Sequence, residues 1–184
     1  MAVQVLLVQG GSEGAYAADA RLADSLRTHL GSGFEVRYPA LPNEDEPNYA
    51  VWKAAILGEL RDMGPGAYVV GHSIGGSVLI KMLTEGALSP PLGGVFLAAA
   101  PFWYDDDFWR WDEAALPPDA AQRIPPGTPL FLYHGEDDPS VPVEHLGMYA
   151  QALPAAVVRA LPGRDHQLND DMSEVARDIR ELAR

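Results

Sequence analysis

Short apolar runs alternate with amphipathic stretches from one end of the chain to the other, and this alternation limits the fold more than any other feature. Val3–Val8 (VQVLLV) is rich in β-branched residues and stops at Gly10-Gly11, the pattern of a buried strand. Ala15–Leu30 then carries Ala20, Leu22, Ala23, Leu26 and Leu30 at helical spacing, and Gly31 follows as a stop. Phe34–Tyr38 reads as the next strand, and Asn48–Met63 as a helix with Val51, Trp52, Ala55, Ile56 and Leu60 on one face. The remaining strands are expected at Ala67–Gly71, Gly94–Ala99, Pro129–His134 and Ala156–Leu161. Helices are expected over Ser73–Glu85, Val143–Leu153 and Asp170–Ala183. Strands joined through helices need right-handed crossovers, which pair them in parallel. The spacing therefore predicts an α/β chain, a three-layer α/β/α sandwich of about six mainly parallel strands, with residues 1–184 forming one domain.

Composition narrows the function. Thirteen Lys+Arg against twenty-six Asp+Glu leave a formal charge of −13 at pH 7. Nucleic-acid backbones and anionic membrane surfaces both reward clustered cations, so neither is an expected partner. The chain has no cysteine, which removes disulfides, thiolate metal sites and cysteine nucleophiles together. The N-terminal apolar run lacks the basic segment of a signal peptide, and no stretch approaches the eighteen or so apolar residues of a spanning helix. A cytoplasmic protein acting on a small molecule is the expectation, and no protein partner is indicated.

The strongest local signal is Gly71-His72-Ser73-Ile74-Gly75, which follows one expected strand and opens the next helix. This is G-x-S-x-G in the strand–turn–helix setting that presents a nucleophilic serine. So sharp a turn needs small neighbours two residues away, and Gly71 and Gly75 supply them. A serine hydroxyl is too weak an acid to attack unaided and needs a base within hydrogen-bond reach. In such folds the acid and the histidine follow the serine along the chain. His29 precedes Ser73, His72 flanks it, His134 ends a strand and His145 lies in a helix. That leaves His166, in the loop after the last strand. The acid should come from the loop after the fifth strand, where Glu136, Asp137 and Asp138 compete. Asp138 is preferred for its position before Pro139, with Asp137 as the alternative. Two amides should meet the developing oxyanion, one from Ile74 and the other from Gly11 or Ser12.

Rival chemistries lack their residues. A dinucleotide cradle would need glycine where the chain has Gln9, and no phosphate-loop pattern occurs. No H-E-x-x-H is present, and Asp105-Asp106-Asp107 lacks accompanying histidines. Neither a cofactor nor a metal is expected. The segment Pro101–Pro118 holds Trp103, Trp109 and Trp111 beside Phe102, Tyr104 and Phe108. It follows the fourth strand at the carboxyl edge, where parallel sheets hold ligands. It reads as an irregular loop pinned by aromatics, as a pocket wall, or as both. Phe102, Trp103 and Trp109 are the candidate lining for a small apolar acyl group.

Taken together, GHSIGG, HGEDDPSVP and GRDH resemble the α/β-hydrolase superfamily over nearly the whole chain. The size, with LPNEDEPNYAVW and PFWYDDDFWRW, resembles the small serine hydrolases typified by the retinoblastoma-binding serine hydrolase and its bacterial, YdeN-like relatives. The resemblance implies Ser73 as nucleophile, Asp138 as acid and His166 as base, since HG-x-x-D-x-x-V-P fits Asp138 and not Asp137. It implies oxyanion amides at Ile74 and Gly11, and carboxylesterase-like cleavage of a small ester, thioester or amide. The chain departs from the pattern at Gln9-Gly10, where many members have His-Gly. It also lacks a cap domain between the fourth and fifth strands, and it begins on the strand before the oxyanion loop, without the N-terminal hairpin of larger members. An acyltransferase or cofactor-free lyase would use the same three residues. From another class, an interaction module on a hydrolase scaffold, with the tryptophans as its anchor, is the alternative reading.

Overall fold

The computed structural model describes residues 2–88 and 91–184. Six strands form one sheet in the order β2-β1-β3-β4-β5-β6, all parallel: β1 (Val3–Val8), β2 (Phe34–Arg37), β3 (Tyr68–His72), β4 (Gly94–Ala98), β5 (Leu130–Gly135) and β6 (Val157–Leu161). The central strands β3, β4 and β5 are buried at every residue, whereas the edge strand β2 is mostly part-exposed and β6 mostly exposed. A strand covered on both faces has to be apolar throughout, which is why these read as unbroken hydrophobic runs.

Successive residues divide between two cores. Leu6, Val8, Val69, Val95, Leu97 and Leu132 point to one face, beneath α2 (Tyr49–Arg61), α3 (Ile74–Thr84) and α5 (Glu144–Ala152). Val5, Leu7, Val70, Phe96, Ala98 and Tyr133 point to the other, beneath α1 (Ala15–Leu30) and α6 (Ser173–Leu182). The Asn48 side chain accepts the Val51 amide and starts α2, and the fully buried Trp52 donates its indole N–H to the Pro42 carbonyl at 2.9 Å.

The helix expected from Asp170 starts three residues later, at Ser173. Leu168, Asn169 and Asp170 form a tight turn with φ of 52°, 55° and 57°. Between β4 and β5 the chain is irregular apart from the four-residue helix α4 (Ala120–Arg123), so no cap domain intervenes. No helix among the described residues is long and apolar enough to cross a membrane.

One buried carboxylate ties the far edge of the sheet to its covering helix. Asp178 of α6 is 1% exposed and accepts the Tyr133 hydroxyl at 2.6 Å and two Arg159 N–H groups at 2.5 and 2.9 Å. Burial alone would raise its pKa; the bonds from Arg159 and Tyr133 outweigh burial and hold it below the usual carboxylate range. A carboxylate depressed on folding contributes stability above its unfolded pKa and loses it as the pH falls through the folded value. Asp178→Asn should therefore cost about 2 kcal/mol near neutral pH, with the gap from wild type closing below about pH 4. Denaturant melts at both pH values check this, and an equal gap at pH 7 and pH 3 would count against the charged network.

Candidate active site

The carboxyl ends of β1, β3, β5 and β6 deliver four loops to one spot. At its centre Ser73 sits between β3 and α3 with φ 50° and ψ −125°, a conformation rare for a residue with a side chain. Strain of this kind costs about 1–3 kcal/mol and persists only where the surroundings impose it. Here the Ser73 amide donates to the Ala98 carbonyl at 2.8 Å, and its own carbonyl accepts the Gly76 amide at 2.9 Å. A Cβ at position 71 would lie 2.6 Å from the Gly76 Cα, and one at 75 would run into the main chain of Gln9 and lie 2.8 Å from a Val8 methyl carbon. The glycines of the motif are therefore demanded by contact between the strand, the helix and β1.

Ser73 Oγ lies 3.1 Å from Nε2 of His166, and His166 Nδ1 lies 2.7 Å from Oδ2 of Asp138. Three loops that are far apart in sequence thus form one hydrogen-bonded chain. The Asp138 side chain is fully buried and completely paired: Oδ1 accepts the amides of Ser140 and Val141 at 2.8 and 2.9 Å. Oδ2 also receives His134 Nε2 at 3.2 Å. Burial would raise the Asp138 pKa, but the bonds from His134, His166 and the Val141 amide overcome it and hold the group far below the usual range. These contacts favour the ionised form of Asp138. A carboxylate so placed can fix the tautomer of His166 with hydrogen on Nδ1, which leaves Nε2 facing Ser73 Oγ as an acceptor. Asp137 and Glu136 are exposed and do not reach the imidazole.

The loop carrying His166 is braced from below. Arg164 donates to the carbonyls of Leu168 and Asp171 and to the carboxylates of Asp171 and Glu174. Asp165 and Asn169 exchange amide-to-side-chain bonds at 2.8 and 3.0 Å. Where this loop crosses the end of β5, a Cβ on Gly135 would meet the main chain of Arg164 and lie 2.6 Å from the Asp165 carbonyl oxygen.

On the other side, a Cβ on Gly11 would lie 2.5 Å from the Pro47 ring and 3.0 Å from the Ile74 side chain, so the residues bearing two expected oxyanion amides pack together. Neither the Gly11 nor the Ile74 amide donates to a protein acceptor among the described residues. The fully buried Gln9, in the place where histidine is common, secures this loop from beneath. Its side-chain Oε1 accepts the Leu41 amide at 2.8 Å, and its side-chain NH₂ donates to Glu44 at 2.9 Å. Glu44 in turn accepts the amides of Gly14 and Tyr16 at the start of α1. Glu44 went unnoticed in the sequence because its partners lie 28 to 35 residues away.

A cleft of about 420 Å³ opens over Ser73 and His166, walled by Trp103, Phe108, Trp109 and Val141. The indoles of Trp103 and Trp109 lie 6.1 Å apart, and Trp109 meets His145 edge-on at 4.4 Å. Phe102 does not join this wall. Phe102 turns inward instead, against the core, and packs edge-on against Tyr149 at 4.9 Å. Its amide donates to His145 Nδ1 at 2.9 Å, which requires that nitrogen to be bare; burial and the nearby His134 accordingly lower the His145 pKa. The Pro101 carbonyl, accepting the hydroxyls of Ser77 and Tyr149 at 2.7 and 2.8 Å, anchors the start of the aromatic loop. Phe108, 76% exposed, belongs to the wall although the sequence pointed instead to its neighbours.

The comparisons agree with this architecture. The ydeN gene product of B. subtilis superposes with a TM-score of 0.80 at 20% identity, over 98% of this chain and 98% of that one. The 2-hydroxy-6-oxo-6-phenylhexa-2,4-dienoate hydrolase of Rhodococcus sp. strain RHA1 gives 0.77 at 16%, over 99% and 90%. A monoacylglycerol lipase of Paleococcus ferrophilus gives 0.66 at 17%, over 97% and 93%. At these identities the likeness is one of fold, that of the α/β hydrolases. No curated protein sequence matches the chain. The model of a family described as serine hydrolase matches residues 23–171, most of the chain including Ser73, Asp138 and His166, and the protein belongs to that family.

Proposed function

We propose that the protein is a carboxylesterase-like hydrolase of small acyl compounds, acting through an acyl-enzyme on Ser73. The observation that carries this reading is the continuous chain from Ser73 Oγ to His166 Nε2 at 3.1 Å and from His166 Nδ1 to Asp138 at 2.7 Å. In the first half-reaction the Ser73 oxygen attacks the acyl carbonyl as His166 takes its proton. His166 then returns that proton to the leaving alcohol, thiol or amine. In the second half-reaction water attacks the acyl-enzyme, His166 again acting as base, and Ser73 is regenerated. Asp138 stays ionised throughout and balances the imidazolium. The Ile74 and Gly11 amides, with Ser12 as the alternative second donor, receive the oxyanion; a single such donor contributes a factor of about 10²–10³ to the rate.

The acyl group lies in the cleft between Trp103, Phe108 and Trp109, whose aromatic walls suit a short apolar chain. The formal charge of −13 disfavours strongly anionic substrates. A fluorophosphonate probe is expected to label the wild-type protein at Ser73 and to leave Ser73→Ala unlabelled. Folded wild type that resists the probe would rule the reading out and favour an interaction module. On a series of p-nitrophenyl esters of graded acyl length, Trp109→Ala should shift the preference to longer chains; an unchanged profile removes the aromatic wall from substrate selection.

A further inference from the structure

Beside the Ser73–His166–Asp138 chain lies a second histidine–carboxylate pair that the proposed chemistry does not use. His72, the residue before the nucleophile, is 1% exposed. Its Nδ1 lies 2.8 Å from Oδ2 of Asp19, a fully buried residue of α1. Its Nε2 lies 2.9 Å from the main-chain carbonyl of His166. A carbonyl only accepts, so Nε2 carries a hydrogen. Asp19 Oδ2 already accepts the Gly10 amide at 2.7 Å, which favours the ionised carboxylate and places a hydrogen on Nδ1 as well.

This arrangement favours a buried imidazolium–carboxylate pair. Burial opposes both charges, but their mutual attraction and hydrogen bonds prevail, lowering the Asp19 pKa and raising that of His72. The titratable groups around His72 are Asp19, the His166 ring with its centroid 5.0 Å away, and Asp138, whose charge also favours the imidazolium.

These bonds join three separate loops at one point: Gly10 after β1, His72 at the end of β3, and the His166 carbonyl after β6. We propose that the Asp19–His72 pair is a positioning device for the reaction, fixing the main chain of His166, and with it Nε2 over Ser73 Oγ, while it holds the Gly10–Gly11 amide loop against the same turn. This rests on the esterase reading above. Asp138 governs only the orientation of the His166 ring; the height of that ring over the serine follows from its backbone, and His72 grips the backbone at the residue itself. His166 has to carry a proton twice per turnover, so its distance from Ser73 matters in both half-reactions.

Two amides separate this role from simple support of the fold. Glutamine at position 72 carries its NH₂ near the place of Nε2 and reaches the His166 carbonyl. Asparagine carries its NH₂ near the place of Nδ1 and reaches only Asp19. With p-nitrophenyl acetate, His72→Gln should keep kcat within about tenfold of wild type, and His72→Asn should lose about 10²-fold, the effect of roughly an ångström of misplacement, with KM within about twofold in both. Equal kcat in the two variants, or a loss that simply follows Tm, overturns the proposal. Nitrogen-15 NMR of histidine-labelled wild type needs no variant to fold: near neutral pH both ring nitrogens of His72 should be protonated, and one bare nitrogen overturns the proposal. Wild type that neither hydrolyses the ester nor takes the fluorophosphonate is a failure of the esterase reading, whereas active wild type with indistinguishable variants is a failure of this one.

Discussion

Close contact between the start of α3 and the ends of β1 and β3 is the constraint on which the site depends. The helix approaches until no side chain fits at positions 71 or 75, and the turn between strand and helix is then sharp enough to hold Ser73 at φ 50°. Strain of one to a few kcal/mol is stored there and held by parallel-sheet hydrogen bonds on either side. The same approach brings the Ile74 side chain against Gly11, so Ser73 and the residues bearing the expected oxyanion amides are placed by one packing event. Loops from β5 and β6 then have only to descend on a prepared edge.

They do so through electrostatics placed in a low-dielectric interior. Two carboxylates, Asp19 and Asp138, are each buried, each hold a histidine, and each are kept ionised by neighbours that offset burial. Asp138 orients the ring of His166, and Asp19, through His72, grips its main chain. The Asp138 charge is balanced once His166 takes the serine proton. A reaction that separates charge between an imidazolium and an oxyanion therefore meets dipoles already in position, which need little reorganisation.

Much of this was legible in the sequence, for identifiable reasons. Strands buried on both faces have to be continuous apolar runs, so β3, β4 and β5 fall within a residue of their expected limits. Ala15–Leu30 is bounded by glycines at both ends, Gly14 and Gly31 with φ of 79° and 78°, and the helix spans the expected residues. The G-x-S-x-G glycines mark the Ser73 turn because sterics leave no alternative there. What stayed hidden was long-range or conformational. Asp19 and His72 are 53 residues apart, and no local pattern links them. Leu168–Asp170 adopts positive φ without a glycine, so the delayed start of α6 left no trace in the composition. Phe102 packs inward against Tyr149, and an aromatic cluster does not reveal in sequence which of its members do so.

The central claim is that Ser73 carries the acyl group between two half-reactions. It is tested most directly by rapidly quenching wild-type protein during turnover of a p-nitrophenyl ester and weighing the intact chain and its Ser73-bearing peptide by mass spectrometry. The account predicts one added acyl group per chain, located on Ser73, that disappears as the ester is exhausted. Turnover with no acyl group on Ser73, or with the group on another residue, would contradict it.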